Sequence, residues 1–280
     1  MASPGNPLTL FTTDPGGRAL GLRLPPGATM DQTADCVPWP EPLLWISDSP
    51  AASGSWSELL PARRWGLQPV LIGPDMGIHE GSELSPQYAS RPGDHEAEAV
   101  LAGFWRSYGR KEPDTADPES MAGPFGPRWP GLAPPGTLAP GVDPDIVADG
   151  LARRLLEPGP DQFGFDGEIS RIALVPAPRG ADVPASIGWT GPCNHESDTA
   201  RLSAVLRSWE DRFAIRVVAL GGASLHLSVA APPTTYAAAE VLAAEHLAFS
   251  PGVIANAGWW SYRQYAESLP SRTYWDFGWD

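Results

Sequence analysis

Short apolar runs bounded by Pro and Gly mark the first third of the chain, and apolar residues at three-and-four spacing recur in its later part. Leu43-Leu44-Trp45-Ile46 and Val70-Leu71-Ile72 read as buried strands, being too short for a full helical face. Leu8-Thr9-Leu10-Phe11 and residues 19–24 flank the turn-rich Asp14-Pro15-Gly16-Gly17 and are expected to pair as a hairpin. Residues 55–65 predict a short helix interrupted or ended near Pro61. The spacing predicts a helix over 94–108, with Ala97, Val100, Leu101, Phe104, Trp105 and Tyr108 on one face and Asp94 as its N-cap.

Between 112 and 142 periodicity gives way to Gly123-Pro124-Phe125-Gly126-Pro127 and Ala133-Pro134-Pro135-Gly136, an irregular connection with few backbone donors. Trp129 and Leu132 within it are expected to lie against a surface. The chain therefore divides into an N-terminal α+β region (1–112), a Pro/Gly-rich connection (113–142) and a C-terminal α+β domain (143–280). In the last of these, Asp143-Pro144 starts a helix, with Asp at the cap and Pro at the first helical position. A strand at Ile172-Ala173-Leu174-Val175, a short element at 185–189 and a helix over 198–213 follow. That helix is expected to bury Leu202, Val205, Leu206, Trp209 and Phe213. Residues 215–220 and 223–229 predict a hairpin around Gly221-Gly222, a pair able to take positive φ. Thr235 caps an Ala-rich helix running to about 249, and a last helix covers about 260–269. Trp275, Phe277 and Trp279 then alternate onto one face of a strand, and so aromatic a segment is expected to dock into the core. Hairpins with helices inserted between them predict an α+β fold: a mixed, largely antiparallel sheet with helices packed on it.

Composition narrows the function classes. With 280 residues, 42% apolar and 12 Trp, the chain can bury a real core. A net charge of −14 argues against nucleic-acid and anionic-membrane surfaces, which need clustered cations, and permits a basic protein partner. Lys111 is the sole lysine. Cys36 and Cys193 are too few and too far apart for a disulfide framework or a zinc site, so no metal is expected. No basic-then-apolar leader opens the chain, and the expectation is a soluble cytoplasmic protein.

Motifs for nucleotide loops, the Gly-x-Ser-x-Gly elbow and the His-Glu-x-x-His helix are missing, and no cofactor is implied. Cys193-Asn194-His195-Glu196 with Asp198 combines a thiol, an imidazole and carboxylates that could hold a metal or seat a nucleophile. The same residues also suit a turn leading into a helix cap. Glu245-His246 sits in the Ala-rich helix, with Glu245 on the apolar stripe of Val241, Leu242 and Phe249. A carboxylate there must be paired, protonated or functional; pairing with an Arg such as Arg216 or Arg272 is expected, with partial exposure at the helix edge as the alternative. Asp94-His95-Glu96 reads as helix-start chemistry, and His226, between Leu225 and Leu227, as a surface residue. The catalytic candidates are thus His195, Glu196, Glu245 and His246. Trp259, Trp260, Trp275 and Trp279 could line a ligand cleft or fill a core.

Ser208-Trp209-Glu210-Asp211-Arg212-Phe213, Leu225-His226-Leu227-Ser228-Val229-Ala230-Ala231-Pro232-Pro233, Ala244-Glu245-His246-Leu247-Ala248-Phe249 and the 274–280 segment resemble the bacterial domain-of-unknown-function family 4253. The resemblance is strongest from about 170 to 280, with fainter echoes at Pro92-Gly93-Asp94-His95 and Trp129-Pro130-Gly131-Leu132-Ala133-Pro134. Where members of such a family often carry Cys-Pro after the Ala-rich helix, this chain has Ser250-Pro251, which takes a thiol away from that position. The resemblance implies a fold unit and no catalytic residues. Three classes of function remain. One is a non-catalytic protein-binding module, immunity-like or regulatory, that covers a basic protein. Another is an enzyme or small-ligand or metal-binding protein, in which His195, Glu196, Glu245 and His246 converge in a cleft. The third is a structural module of a larger assembly. The missing signatures favour the first.

Overall fold

The computed structural model describes residues 5–77, 84–109, 123–157, 170–256, 258 and 261–279. Within them, strands β1 (Gly27–Met30), β2 (Leu44–Ser47), β3 (Leu67–Ile72), β4 (Arg171–Pro176), β5 (Ile215–Leu220), β6 (Ser224–Val229) and β7 (Tyr274–Gly278) form one open sheet in the order β1-β2-β4-β3-β5-β6-β7. Its neighbours are antiparallel except β3 and β5, which run parallel. This is the mixed, largely antiparallel α+β arrangement expected. Strands from before and after the Pro/Gly-rich connection interleave, because β4 lies between β2 and β3.

Strand alternation assigns the two faces. Leu44, Ile46, Val70, Ile72, Ala173, Val175, Leu225, Leu227, Trp275 and Phe277 point into a core shared with α2 (Ala97–Gly109), α5 (Thr199–Phe213), α6 (Tyr236–Phe249) and α8 (Tyr262–Ser268). On the other face Trp45, Leu67, Leu71, Ile172 and Leu174 pack with α1 (Ser55–Glu58), α3 (Pro144–Leu156) and the 3-10 turns near residues 7–20. Helix starts follow the sequence signals. Asp143 accepts from the Asp145 amide at 2.9 Å, Asp198 from Ala200 at 3.1 Å, and Thr235 from Ala238 at 3.3 Å. Among the described residues, no helix is long and apolar enough to cross a membrane.

Several local expectations are corrected. Residues 7–12 and 18–20 form 3-10 turns, not a hairpin. Leu8 and Phe11 are three apart, which a 3-10 turn places on one buried side, and Pro7 together with the Asn6 side-chain cap (3.0 Å to the Leu8 amide) starts it. The first long helix begins at Ala97 rather than Asp94, because Pro92–Asp94 is a separate 3-10 turn and His95 is extended. The element at 185–189 belongs to a short helix, α4 (Val183–Ile187), closed by Gly188 at φ 62°. Gly221 and Gly222 do not take positive φ. They are needed for space: a Cβ would come within 2.3 Å of the Ser224 hydroxyl at Gly221, and within 2.9 Å of the Asp75 carbonyl at Gly222.

Candidate functional site

The second half of α6 is buried on all sides, from Leu242 to Phe249, which explains why a single apolar stripe describes it poorly. Glu245 has no exposed surface and four donors converge on it. Arg212 of α5 binds it through both guanidinium amines, at 2.8 and 2.6 Å. The Trp209 indole N–H donates at 2.8 Å and the Ala133 amide at 2.7 Å. The partner is therefore Arg212, and neither Arg216 nor Arg272. Arg216 binds Asp145 at 2.8 Å, and Arg272 lies 3.5 Å from Asp276. Arg212 also donates to the Ala133 carbonyl at 2.9 Å, so one ion pair clamps the Pro/Gly-rich connection to α5 and α6. Both Glu245 oxygens are committed to structural donors, which leaves no basic lone pair facing solvent.

His246 is fully buried in a box of rings: Trp275 at 4.5 Å, Phe277 at 5.0 Å, Trp209 at 5.1 Å and Tyr265 at 6.0 Å between centroids. Its Nδ1 and the Tyr265 hydroxyl share a 2.8 Å hydrogen bond. Burial, reinforced by the Arg272 and Arg212 charges, holds the imidazole well below its ordinary pKa of 6.5, and burial raises the Tyr265 phenol. The unfolded chain therefore takes up a proton near pH 6.5 that the folded chain refuses. Stability should fall by up to about 1.4 kcal/mol per pH unit as pH drops below 6.5, down to the folded-state pKa of His246. Asp145 and Asp198, held below 3.8, add their own loss only near and under that value. Urea titrations from pH 7 to pH 4.5 should show the slope in the native chain and a flatter line in His246→Asn. Parallel curves would assign the slope to other groups.

His195 and Glu196 lie elsewhere, in the wall of a cavity of about 650 Å³. Phe104 of α2, Arg201 and Leu202 of α5, Leu247 and Phe249 of α6, Ile254 of α7 (Val253–Asn256) and Trp279 complete most of its lining. Here the chain turns sharply, as the His195 and Glu196 amides bind the Pro192 carbonyl at 2.8 and 2.9 Å. Glu196 accepts from the Asp198 amide at 2.9 Å and from the Arg201 guanidinium, which lies 5.0 Å over the Phe104 ring. The structure thus brings His195, Glu196 and Trp279 together, and places Glu245, His246 and Trp275 in the interior away from that lining. Trp259 and Trp260 fall outside the described residues. Cys193 is exposed, and among the described residues no three His, Cys, Asp or Glu side chains are grouped to hold a metal.

Two further clusters are structural in geometry. Asp198 accepts from the Ser90 hydroxyl (2.6 Å), the Ser90 amide (2.9 Å) and the Ala200 amide (3.1 Å). His95 Nε2 lies 2.6 Å from the same hydroxyl. Since Ser90 spends its proton on Asp198, its oxygen accepts from His95, the reverse of the proton order a serine nucleophile needs. Burial opposes the charge on Asp198, yet the Ser90 and Ala200 donors and nearby His95 hold its pKa below the usual carboxylate value. His226 is a correction: it is buried, with Nδ1 at 2.9 Å from Asp276, its register partner across β6 and β7. The alternation that turns Leu225 and Leu227 into one core turns His226 toward the side of the sheet that carries α3, which the sequence pattern does not reveal.

Arg201, Phe104 and Arg212 were not singled out by sequence. Arg201 carries no motif, Arg212 lies in the Ser208–Phe213 segment of the family resemblance without a role attached to it, and Phe104 reads as an ordinary member of a helical stripe. Their roles arise only when α2, α5 and α6 meet. No curated protein and no solved structure matches the chain. Residues 171–280, from β4 through the aromatic strand β7 and including α5, α6 and the 193–198 turn, match the family model described as Domain of unknown function (DUF4253).

Proposed function

We propose that the chain is a non-catalytic small-ligand-binding protein whose ligand occupies the cavity between α2, the 193–198 turn, α6, α7 and Trp279. The cavity's makeup carries this reading. Its volume suits a small organic molecule, and its lining combines apolar side chains with the polar group of Asn194, His195, Glu196 and Arg201. Glu196, the carboxylate of that wall, is tied to Arg201 and to a backbone amide, so it orients its neighbours and is poorly placed as an acid or base. A second reading, a module covering a basic protein, draws on the net charge of −14 and on the many Arg already paired within the chain, among them Arg63, Arg179, Arg207, Arg212 and Arg216.

Gly103 offers a direct test. A Cβ there would meet only the Arg201 Nη2 atom, at 3.7 Å, so Gly103→Leu should obstruct the cavity beside Arg201 without straining α2. Ligand-observed NMR with a library of aromatic fragments should find molecules that bind the native chain and are lost in Gly103→Leu, while its melting temperature holds or rises. Hits that bind both proteins equally, or no hits alongside salt-sensitive capture of a basic protein, would reject the cavity and favour the second reading.

A further inference from the structure

Among the described residues, Arg201 is the guanidinium of the cavity lining. Its side chain is about one-third exposed, and Glu196 and the Phe104 ring hold the guanidinium. One amine is engaged by Glu196, and among the described residues Nε and Nη2 make no hydrogen bond. A planar guanidinium held this way is pre-organised for a flat, two-oxygen acceptor. Asn194, in the same turn as Glu196, adds a side-chain amide to the lining. Among the described residues Glu196 is the acidic side chain of the lining, and its oxygens accept from Arg201 and from the Asp198 amide, whereas Arg201 keeps an edge of donors unused. A dianionic phosphate would sit against Glu196 with a single guanidinium to balance it. Phe104, beneath the guanidinium, and Leu202, Phe249, Ile254 and Trp279 supply apolar lining against which a ring can pack.

We infer that the cavity takes a small aromatic carboxylic acid, with Arg201 binding the carboxylate and the ring lying among the apolar walls. This inference rests on the cavity being a ligand site, and it specifies the ligand's chemistry. The remaining Arg201 edge supplies charge-assisted hydrogen bonds, while Glu196 acts as a positioning residue that keeps the guanidinium flat. The chain's overall negative charge works against any acid at long range. That field is screened within about 8 Å at physiological ionic strength, whereas the Arg201 contact would be direct.

Matched pairs decide the matter without depending on a variant: indole-3-propionate against indole-3-propionamide, and 1-naphthylacetate against 1-naphthylacetamide, by calorimetry at low and physiological salt. Each acid should bind roughly ten-fold more tightly than its amide, the scale expected for a charge-assisted contact. Arg201→Gln should weaken each acid more than its amide and so erase the preference, and Arg201→Lys should retain part of it. Gly103→Leu should abolish binding of both members of a pair. Amides that bind as well as acids, in a manner still sensitive to Gly103→Leu, would overturn the carboxylate assignment and leave the ligand cavity standing. Tighter binding of phenyl phosphate than of either acid would overturn it in favour of a phosphate site. If neither member of either pair binds, both the assignment and the cavity reading fall.

Discussion

Arg212→Ala is expected to destabilise the fold by about 3–5 kcal/mol, the usual cost of removing one partner from a buried ion pair. Glu245 has no exposed surface, so the lost guanidinium cannot be replaced by bulk water without opening the interior. Two of the donors around the carboxylate would survive, the Trp209 indole and the Ala133 amide, but its full charge would remain in a low-dielectric site. The Ala133 carbonyl would also lose its Arg212 donor, loosening the connection where it crosses α5. A double variant distinguishes charge burial from loss of packing. Arg212→Leu with Glu245→Leu removes both charges, and it should be markedly less destabilised than Arg212→Ala, even though the indole N–H and the Ala133 amide and carbonyl lose these partners. Urea denaturation of the single and double variants measures this directly. A single-variant loss under about 1 kcal/mol would place the pair among weak surface bridges and would contradict the burial on which the clamp depends.

How far this arrangement could be read in advance depended on whether a feature was local. The α5 stripe of Leu202, Val205, Leu206, Trp209 and Phe213 is buried throughout, and the caps Asp143, Asp198 and Thr235 sit where side-chain chemistry directs. These signals lie within one helical turn. The insertion of β4 between β2 and β3 joins segments more than a hundred residues apart, and no local pattern encodes that pairing. Glu245 shows the same division in a single residue. Its position on an apolar helix demanded a partner, but the choice of Arg212 over Arg216 and Arg272 follows from which face of α5 meets α6. The candidate site was half legible for the same reason. His195, Glu196 and Trp279 stood out by type and spacing, whereas Arg201 gains its meaning from Phe104, a neighbour ninety-seven positions away in the chain and 5.0 Å away in space. His226 misled because alternation reports which residues share a face and is silent on whether the other face is covered.

Deleting residues 274–280 should prevent cooperative folding, an effect larger than that of any single substitution considered above. Trp275, Phe277 and Trp279 are each at most 2% exposed, and each belongs to a ring cluster rather than a surface. Trp275 meets Trp209, Phe213 and His246 within 5.6 Å; Phe277 stacks on Trp209 at 5.4 Å; Trp279 meets Trp189 and Phe249 within 5.6 Å. Truncating one buried aromatic costs about 3–5 kcal/mol, and a domain's whole net stability is about 5–15 kcal/mol. Losing three from one core therefore matches the entire margin. The deletion also strips β6 of one of its two neighbours, exposing a buried, apolar strand as a hydrogen-bonding edge of the kind that promotes aggregation. The expected result is insoluble protein, or a soluble chain without a thermal transition. Trp275→Ala alone should remain folded at low temperature, with stability lower by about 3–5 kcal/mol, and Trp279→Phe should cost less because a ring still covers Trp189 and Phe249. This graded series separates a strand that closes the core from one that merely lies on it, since a peripheral strand would leave the melting temperature of the deletion close to that of the full chain.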